Sequence, residues 1–333
     1  MSGAGLFDIV NLLVKGGDTM STMSTSTAFS AHSIAAALKS VDEKLGQKLE
    51  WVRAHKRMSH FLDVYDELRQ LDFDSVPELS FGDSLTVADI NKKAKEMGVQ
   101  SEMTKSRIRT PNTVPVSVWG KFDVLVNWLK SGEPEAITWT RDRDEFAFPA
   151  VKMNGRGVEI VKSPNHDHPI AILKTEGDYE VVLTEASPYL SGIDLLLHMK
   201  EILLKMSHWF GFSGVRFPMV DLRNSPDMNW IIGMTAPCGI TELMPMDGTN
   251  IYVRKAMQDN LLRMNEVGAR VVSLTRIGLH LIGASADYVS PQPLVIEEPF
   301  YMAVIKPGEA IPYFVAYVTE ECWKKPSSLT NVA

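Results

Sequence analysis

Two imidazoles flank a carboxylate at His166-Asp167-His168, side chains of the type that ligate zinc. A metal site needs three or four converging ligands, and side chains at i and i+2 seldom converge by themselves. Pro164 and Pro169 bracket the trio, so the residues predict a solvated turn rather than a metal centre. Cys238 and Cys322, the two cysteines, could act as nucleophiles only beside a basic partner. Cys238 lies between Pro237 and Gly239, and Cys322 beside Trp323; inert, buried or half-buried thiols are the expectation. No GxSxG elbow, HExxH helix, P-loop or Gly-rich dinucleotide turn occurs. Gly155-Arg156-Gly157 falls between two predicted strands and opens no helix, so it is a poor phosphate cradle. These residues predict a protein that is not an enzyme and that takes no cofactor and no metal.

The elements that would position any site follow from periodicity. Leu6, Ile9, Val10 and Leu13 have helical spacing, ended by Gly16-Gly17. A Ser/Thr-rich stretch follows to Thr27, then a short helix over 35–41 opened by Ser33. Residues 50–71 and 87–97 are rich in helix formers, and 193–206 has a helical pattern. Residues 228–234 could form a short helix. Strands are predicted over 113–119, 146–151, 158–161, 171–173, 180–183, 215–220, 300–305 and 313–318. Asn154-Gly155 signals a hairpin, Gly177-Asp178 a turn, and Lys306-Pro307-Gly308-Glu309 a second hairpin. The continuous apolar runs of the last two strands suit burial on both faces. Arg141-Asp142-Arg143-Asp144-Glu145 alternates in sign and predicts a solvated segment.

With 333 residues, 45% hydrophobic and 23% charged, the chain has ordinary globular composition, and no repeat or linker divides it. One domain over 1–333 is the simpler expectation. The net charge of −7 gives no basic face for nucleic acid. No uncharged apolar run is long enough to span a bilayer. The N-terminal residues lack the basic and apolar regions of a cleaved signal peptide, and two cysteines exclude a disulfide framework. A cytoplasmic monomer is expected, with secretion by an unconventional route left open.

Seven segments, in order, resemble the serpins. Leu6-Phe7-Asp8-Ile9 resembles the first helix of that family, and Phe29-Ser30-Ala31-His32-Ser33-Ile34 its F-S-P-x-S-I motif. Asn112-Thr113-Val114 running to Trp128 resembles the third strand of its central sheet. Phe148-Pro149-Ala150-Val151-Lys152-Met153 resembles a strand of the second sheet, and Gly239-Ile240-Thr241-Glu242-Leu243-Met244 the G-I-T-D-L-F segment. Asn265-Glu266-Val267-Gly268-Ala269 resembles the N-E-E-G-T hinge, and Glu298-Pro299-Phe300-Tyr301-Met302 the start of the final hairpin. The resemblance covers nearly the whole chain, with a shortfall between Val41 and Thr113. It departs at Ala31 for proline, Gln258 for the histidine before the hinge strand, and Val267 for the second hinge glutamate. The small-residue run after the hinge glycine is replaced by Ala269-Arg270-Val271-Val272. The short helical region and absent signal also resemble virus-encoded serpins acting inside host cells.

The resemblance implies an α+β fold: a large, mostly antiparallel central sheet with helices and a second sheet. It also implies an exposed reactive-centre loop near the C-terminus, at about 266–296. In such proteins a protease cleaves the loop, stays acylated to it, and is carried away as the loop inserts into the central sheet. Glu266, Val267, Gly268 and Ala269 would form the hinge. Ser30, Ser33 and Gln258 would lie where the sheet opens. Counting forward from Gly268 puts the cut near Ile282-Gly283; counting back from Pro299 moves it towards Asp287-Tyr288. An apolar residue there would suit a chymotrypsin-like or elastase-like protease, an aspartate a caspase-like one. Strand alternation places Ala269, Val271, Ser273, Thr275, Ile277 and Leu279 inward. Arg270, Val272, Leu274, Arg276, Gly278 and His280 then face outward, so insertion over 268–290 buries no charge. Val271 and Val272, β-branched, stiffen the hinge. Two readings stand: a protease inhibitor, and a serpin-fold binding or structural protein that has lost insertion.

Overall fold

The computed structural model describes residues 25–84, 87–96, 117–141, 144–239, 249–272 and 292–330. Helix α1 (Ala31–Leu45) starts at the Ser30 cap, whose hydroxyl accepts from the Ser33 amide, and stops at left-handed Gly46. The sequence placed this start at Ser33; the earlier serine caps instead, because Ile34, Leu38, Val41 and Leu45 must all face the core. Helix α2 (Lys56–Leu68) begins later than residue 50, at a His55 cap. Helices α3 (Val87–Glu96) and α4 (Gly192–Leu203) lie close to their predicted bounds. Residues 228–234 yield only a 3-10 turn at Asn229–Ile231.

Nineteen strands are described. In chain order they are β1 (Thr27–Phe29), β2 (Leu79–Ser84), β3 (Ser117–Phe122), β4 (Val124–Asn127), β5 (Glu133–Arg141), β6 (Asp144–Asn154) and β7 (Val158–Ser163). Next come β8 (His166–Lys174), β9 (Glu180–Glu185), β10 (Ser207–His208), β11 (Gly214–Pro218), β12 (Val220–Asn224) and β13 (Thr235–Cys238). The last are β14 (Thr249–Tyr252), β15 (Asn260–Met264), β16 (Gly268–Val272), β17 (Leu294–Val295), β18 (Phe300–Ile305) and β19 (Phe314–Val318).

They form a seven-stranded sheet, β1-β19-β18-β9-β8-β7-β10, and two four-stranded sheets, β17-β11-β6-β5 and β12-β15-β16-β4. Two pairs, β13-β14 and β2-β3, complete the set. All described pairs are antiparallel except β11 with β17. The final hairpin forms as the sequence predicts: Pro307 and left-handed Gly308 make the turn, and the Glu309 amide donates to the Lys306 carbonyl at 3.0 Å. Every residue of β18 and β19 is buried. No helix among the described residues is long and apolar enough to cross a membrane.

Three local expectations are corrected. Asn154-Gly155 makes no hairpin: β6 already has β5 and β11 on its two edges, so Gly155 turns the chain into the seven-stranded sheet through a 3-10 turn. The predicted strand 215–220 divides at Met219 into β11 and β12, which belong to different sheets. His166-Asp167-His168 is not a turn but the start of β8. The imidazole Nε2 of His166 lies 2.8 Å from the Thr184 hydroxyl, and His168 faces Glu185 at 3.3 Å. Among the described residues no three His, Cys, Asp or Glu converge to hold a metal.

Candidate functional site

The hinge residues lie in the sheet β12-β15-β16-β4. Strand β16 runs antiparallel to both β15 and β4, so those two run parallel to each other and β16 fills the slot between them. Chain direction forces this: β15 and β16 are joined by a tight turn at Asn265–Val267. The Asn265 side chain fixes the turn, accepting from the amides of Val267 at 2.9 Å and Gly268 at 3.2 Å. Trp128, the residue after β4, holds it: its amide donates to the Val267 carbonyl at 3.0 Å and its indole to the Asn265 carbonyl at 2.8 Å. The Val267 side chain is 46% exposed, and a Glu266 carboxylate oxygen lies 3.5 Å from Lys325 Nζ.

Gly268 is where β16 meets β4. A methyl group there would sit 2.1 Å from the Val126 carbonyl oxygen, so only glycine permits this approach. Ala269 next to it is fully buried, and Arg270 turns to the other face. The first inward and outward positions thus follow the predicted alternation. Arg270 is not left in water, however. Its guanidinium pairs with Asp123 at 3.0 Å and donates to the carbonyls of Leu329 at 3.1 Å and Thr330 at 2.8 Å. Val271 and Val272 are described in backbone only, opposite Leu262 and Leu261 of β15.

Ser30, Ser33 and Gln258 come together at the start of α1. The Gln258 amide nitrogen donates to the Ser30 carbonyl at 2.7 Å and to the Ser33 hydroxyl at 3.0 Å. Its amide oxygen accepts from the Ser30 backbone N–H at 3.4 Å. The Ser30 hydroxyl donates to the Tyr313 carbonyl, just before β19, at 2.8 Å. One residue pair thus ties the approach to β15 to the helix and to the seven-stranded sheet. Helix α1 also presses directly on β3, since a methyl at Gly120 would meet the Ser33 carbonyl at 2.0 Å. His32 is buried beside this network, stacked on Tyr313 with ring centroids 4.0 Å apart; burial lowers its pKa to about 3.

Ile282, Gly283, Asp287 and Tyr288 lie outside the described residues, as do the first predicted helix, Asn112-Thr113-Val114 and most of Gly239–Met244. Asp123 and Asn260 are not singled out by the sequence, and Asn265 enters only as the first residue of the hinge motif, not as the side chain that fixes the turn. The Asn260 side chain donates to the Ala28 carbonyl at 2.8 Å. An asparagine three residues before a glycine is a turn signal that could have been read; Asp123 carries no such signal. Cys238 is buried, its sulfur accepting from Gln47 at 2.9 Å, and Cys322 is half-buried, its thiol pushed up by that burial.

No protein-family profile and no curated protein matches the sequence. Solved structures do match in shape. One is the mouse protein-Z dependent protease inhibitor, at TM-score 0.51 and 14% identity over 88% of this chain and 90% of that one. Another is thyroxine-binding globulin in complex with thyroxine, at TM-score 0.50 and 10% identity over 90% and 94%. A third is Serpin48 of the insect Tenebrio molitor, at TM-score 0.44 and 10% identity over 86% and 96%. The first two are serpins, and the chain has the serpin fold: mixed α and β, with a large antiparallel sheet and few helices.

Proposed function

We propose that this chain is a divergent serpin that inhibits a serine or cysteine protease by loop insertion. The supporting observation is the seat of β16, a strand antiparallel to two neighbours that are parallel to each other, with Ala269 inward. In this reading the protease nucleophile attacks a carbonyl between Ile282 and Tyr288. The peptide C–N bond breaks, the new amino terminus leaves with the proton given up by the nucleophile, and the loop stays acylated to the enzyme, as an ester on serine or a thioester on cysteine. The freed loop then extends β16 along β3, gaining ladder hydrogen bonds and apolar burial. Gln258 suits this reading, because it makes three polar contacts around Ser30 and Ser33. The partner would be a protease, not nucleic acid or membrane, and two free thiols suit a reducing compartment.

The second reading is a serpin-fold binding protein without inhibitory action. Arg270 favours it: the hinge strand is already seated and anchored at its outer face before any cut, which leaves less for insertion to gain.

Incubation with chymotrypsin-like, elastase-like and caspase-like proteases, followed by denaturing gels, separates the two. A complex that survives denaturation is the expected result, and sequencing the released fragment locates the cut. Clean cleavage without a complex, by every protease, would overturn inhibition in favour of binding. Thermal unfolding of the nicked protein gives the same decision independently, since insertion raises the midpoint sharply.

A further inference from the structure

We propose that residues 325–330 form a strap that locks β16 into the sheet, so that β16 can leave only when the strap is released. Arg263 on β15 and Arg270 on β16 are direct cross-strand partners. Like charges so placed destabilise a ladder, and these two side chains are only 4% and 13% exposed. Acceptors around them offset the repulsion. Asp221 on β12 takes Arg263 at 3.2 Å, and Asp123 takes Arg270 at 3.0 Å, giving a row of carboxylate, guanidinium, guanidinium, carboxylate across the sheet.

The remaining acceptors shown come from the strap. Three successive carbonyls face the arginines: Ser328 receives Arg263 at 2.9 Å, and Leu329 and Thr330 receive Arg270 at 3.1 and 2.8 Å. A local turn aims them, with the Thr330 amide donating to the Ser328 hydroxyl at 3.0 Å. Leu329 is buried. Lys325 reaches Glu266 in the turn before β16 at 3.5 Å. Just upstream, Trp323 bridges Val220 of β12 and packs edge-on against Phe148 at 5.2 Å. The strap therefore touches the hinge turn and both arginine-bearing strands. Without it, two neighbouring guanidinium groups, both largely covered, lose three acceptors. β15 is held on its other edge by β12 and β16 by β4, but two of the three strap carbonyls serve Arg270 of β16, so β16 is the strand that loses more when the strap goes. The inference stands whether or not the chain inhibits a protease.

Hydrogen exchange read by mass spectrometry on the full chain and two variants tests it. A chain ending at Pro326 should exchange its 268–272 amides at least tenfold faster, with β18 and β19 unchanged. Arg270→Leu in the full chain should do the reverse: at least tenfold faster exchange at 327–330, with β16 still protected. Combining the two should restore protection of β16 relative to truncation alone. Unchanged exchange at β16 on truncation, or at the strap in Arg270→Leu, overturns the proposal. If the truncated chain does not fold, seen as lost protection of β18 and β19, Arg270→Leu alone decides.

Discussion

The β18-β19 pair and β16 are both strands hydrogen-bonded along two edges, yet different forces hold them. All eleven residues of β18 and β19 are buried, and the stabilisation is apolar area, about 25 cal/mol per Å² removed from water. That force is non-directional and no single contact decides it. β16 is seated by a glycine that tolerates no side chain, an asparagine-capped turn and an arginine fork. Each such polar contact is worth about 1 kcal/mol net, and each depends on one partner staying in place. The same ladder geometry is thus held by non-directional burial in one sheet and by a few separable, directional contacts in the other. What differs is whether its side chains bury area or meet specific acceptors.

The largest effect that could break this contrast lies in the seven-stranded sheet. Phe300 is fully buried at the start of β18, with the Trp323 ring 6.5 Å away. Phe300→Ala should cost about 3–5 kcal/mol of global stability in urea unfolding. A cost below about 1 kcal/mol would mean that burial is not what anchors this sheet.

His32 joins the seven-stranded sheet to the β2-β3 pair, stacking on Tyr313 next to β19 and on Phe122 at the end of β3. Neither ring nitrogen has a protein partner, and burial lowers its pKa from 6.5 to about 3. The unfolded chain therefore binds a proton at this residue between those values and the folded chain does not. Its contribution is full above pH 6.5 and falls as the pH drops to about 3, by several kcal/mol in all. His32→Phe should flatten unfolding free energy against pH across that window. His166 and His198, also lowered by burial, keep a residual slope. An unchanged profile would show that His32 is not the joint's acid-sensitive group.

Much of the seven-stranded sheet was legible, because its strands are continuous apolar runs with a Pro-Gly turn between the last two. The other regions were harder for reasons particular residues explain. β5 contains Glu133, Pro134 and Glu135, which argue against a strand; it is an edge strand, where a missing amide is tolerated. Asn154-Gly155 carries a true hairpin signal that the neighbours of β6 override. Resemblance to the serpins named Ser30, Ser33, Gln258 and Gly268, and the structure brings the first three together and shows why the fourth is glycine. The outward turn of Arg270 followed from alternation, but its partners did not. Those partners are two backbone carbonyls and a lone aspartate, and no side-chain pattern announces which peptide group will cross a sheet face.

The smallest expected effect sharpens the contrast at the slot itself. Gln258 stands where the resembled family has histidine, and both ends of its amide are used around Ser30. Gln258→Leu keeps the volume but leaves the buried Ser30 carbonyl and amide without this partner. The cost should be about 1–3 kcal/mol, mostly local, because Ser30 retains its hydroxyl bond to Tyr313 and its cap to Ser33. Hydrogen exchange should quicken at the start of α1 and at β15 while β18 and β19 stay protected. Gln258→His offers one donor and one acceptor and should lose less than Leu. Equal stability for Leu and the parent would mean that the slot, like the seven-stranded sheet, is held by packing alone, and the distinction between a sheet held by burial and one held by directional contacts would fail.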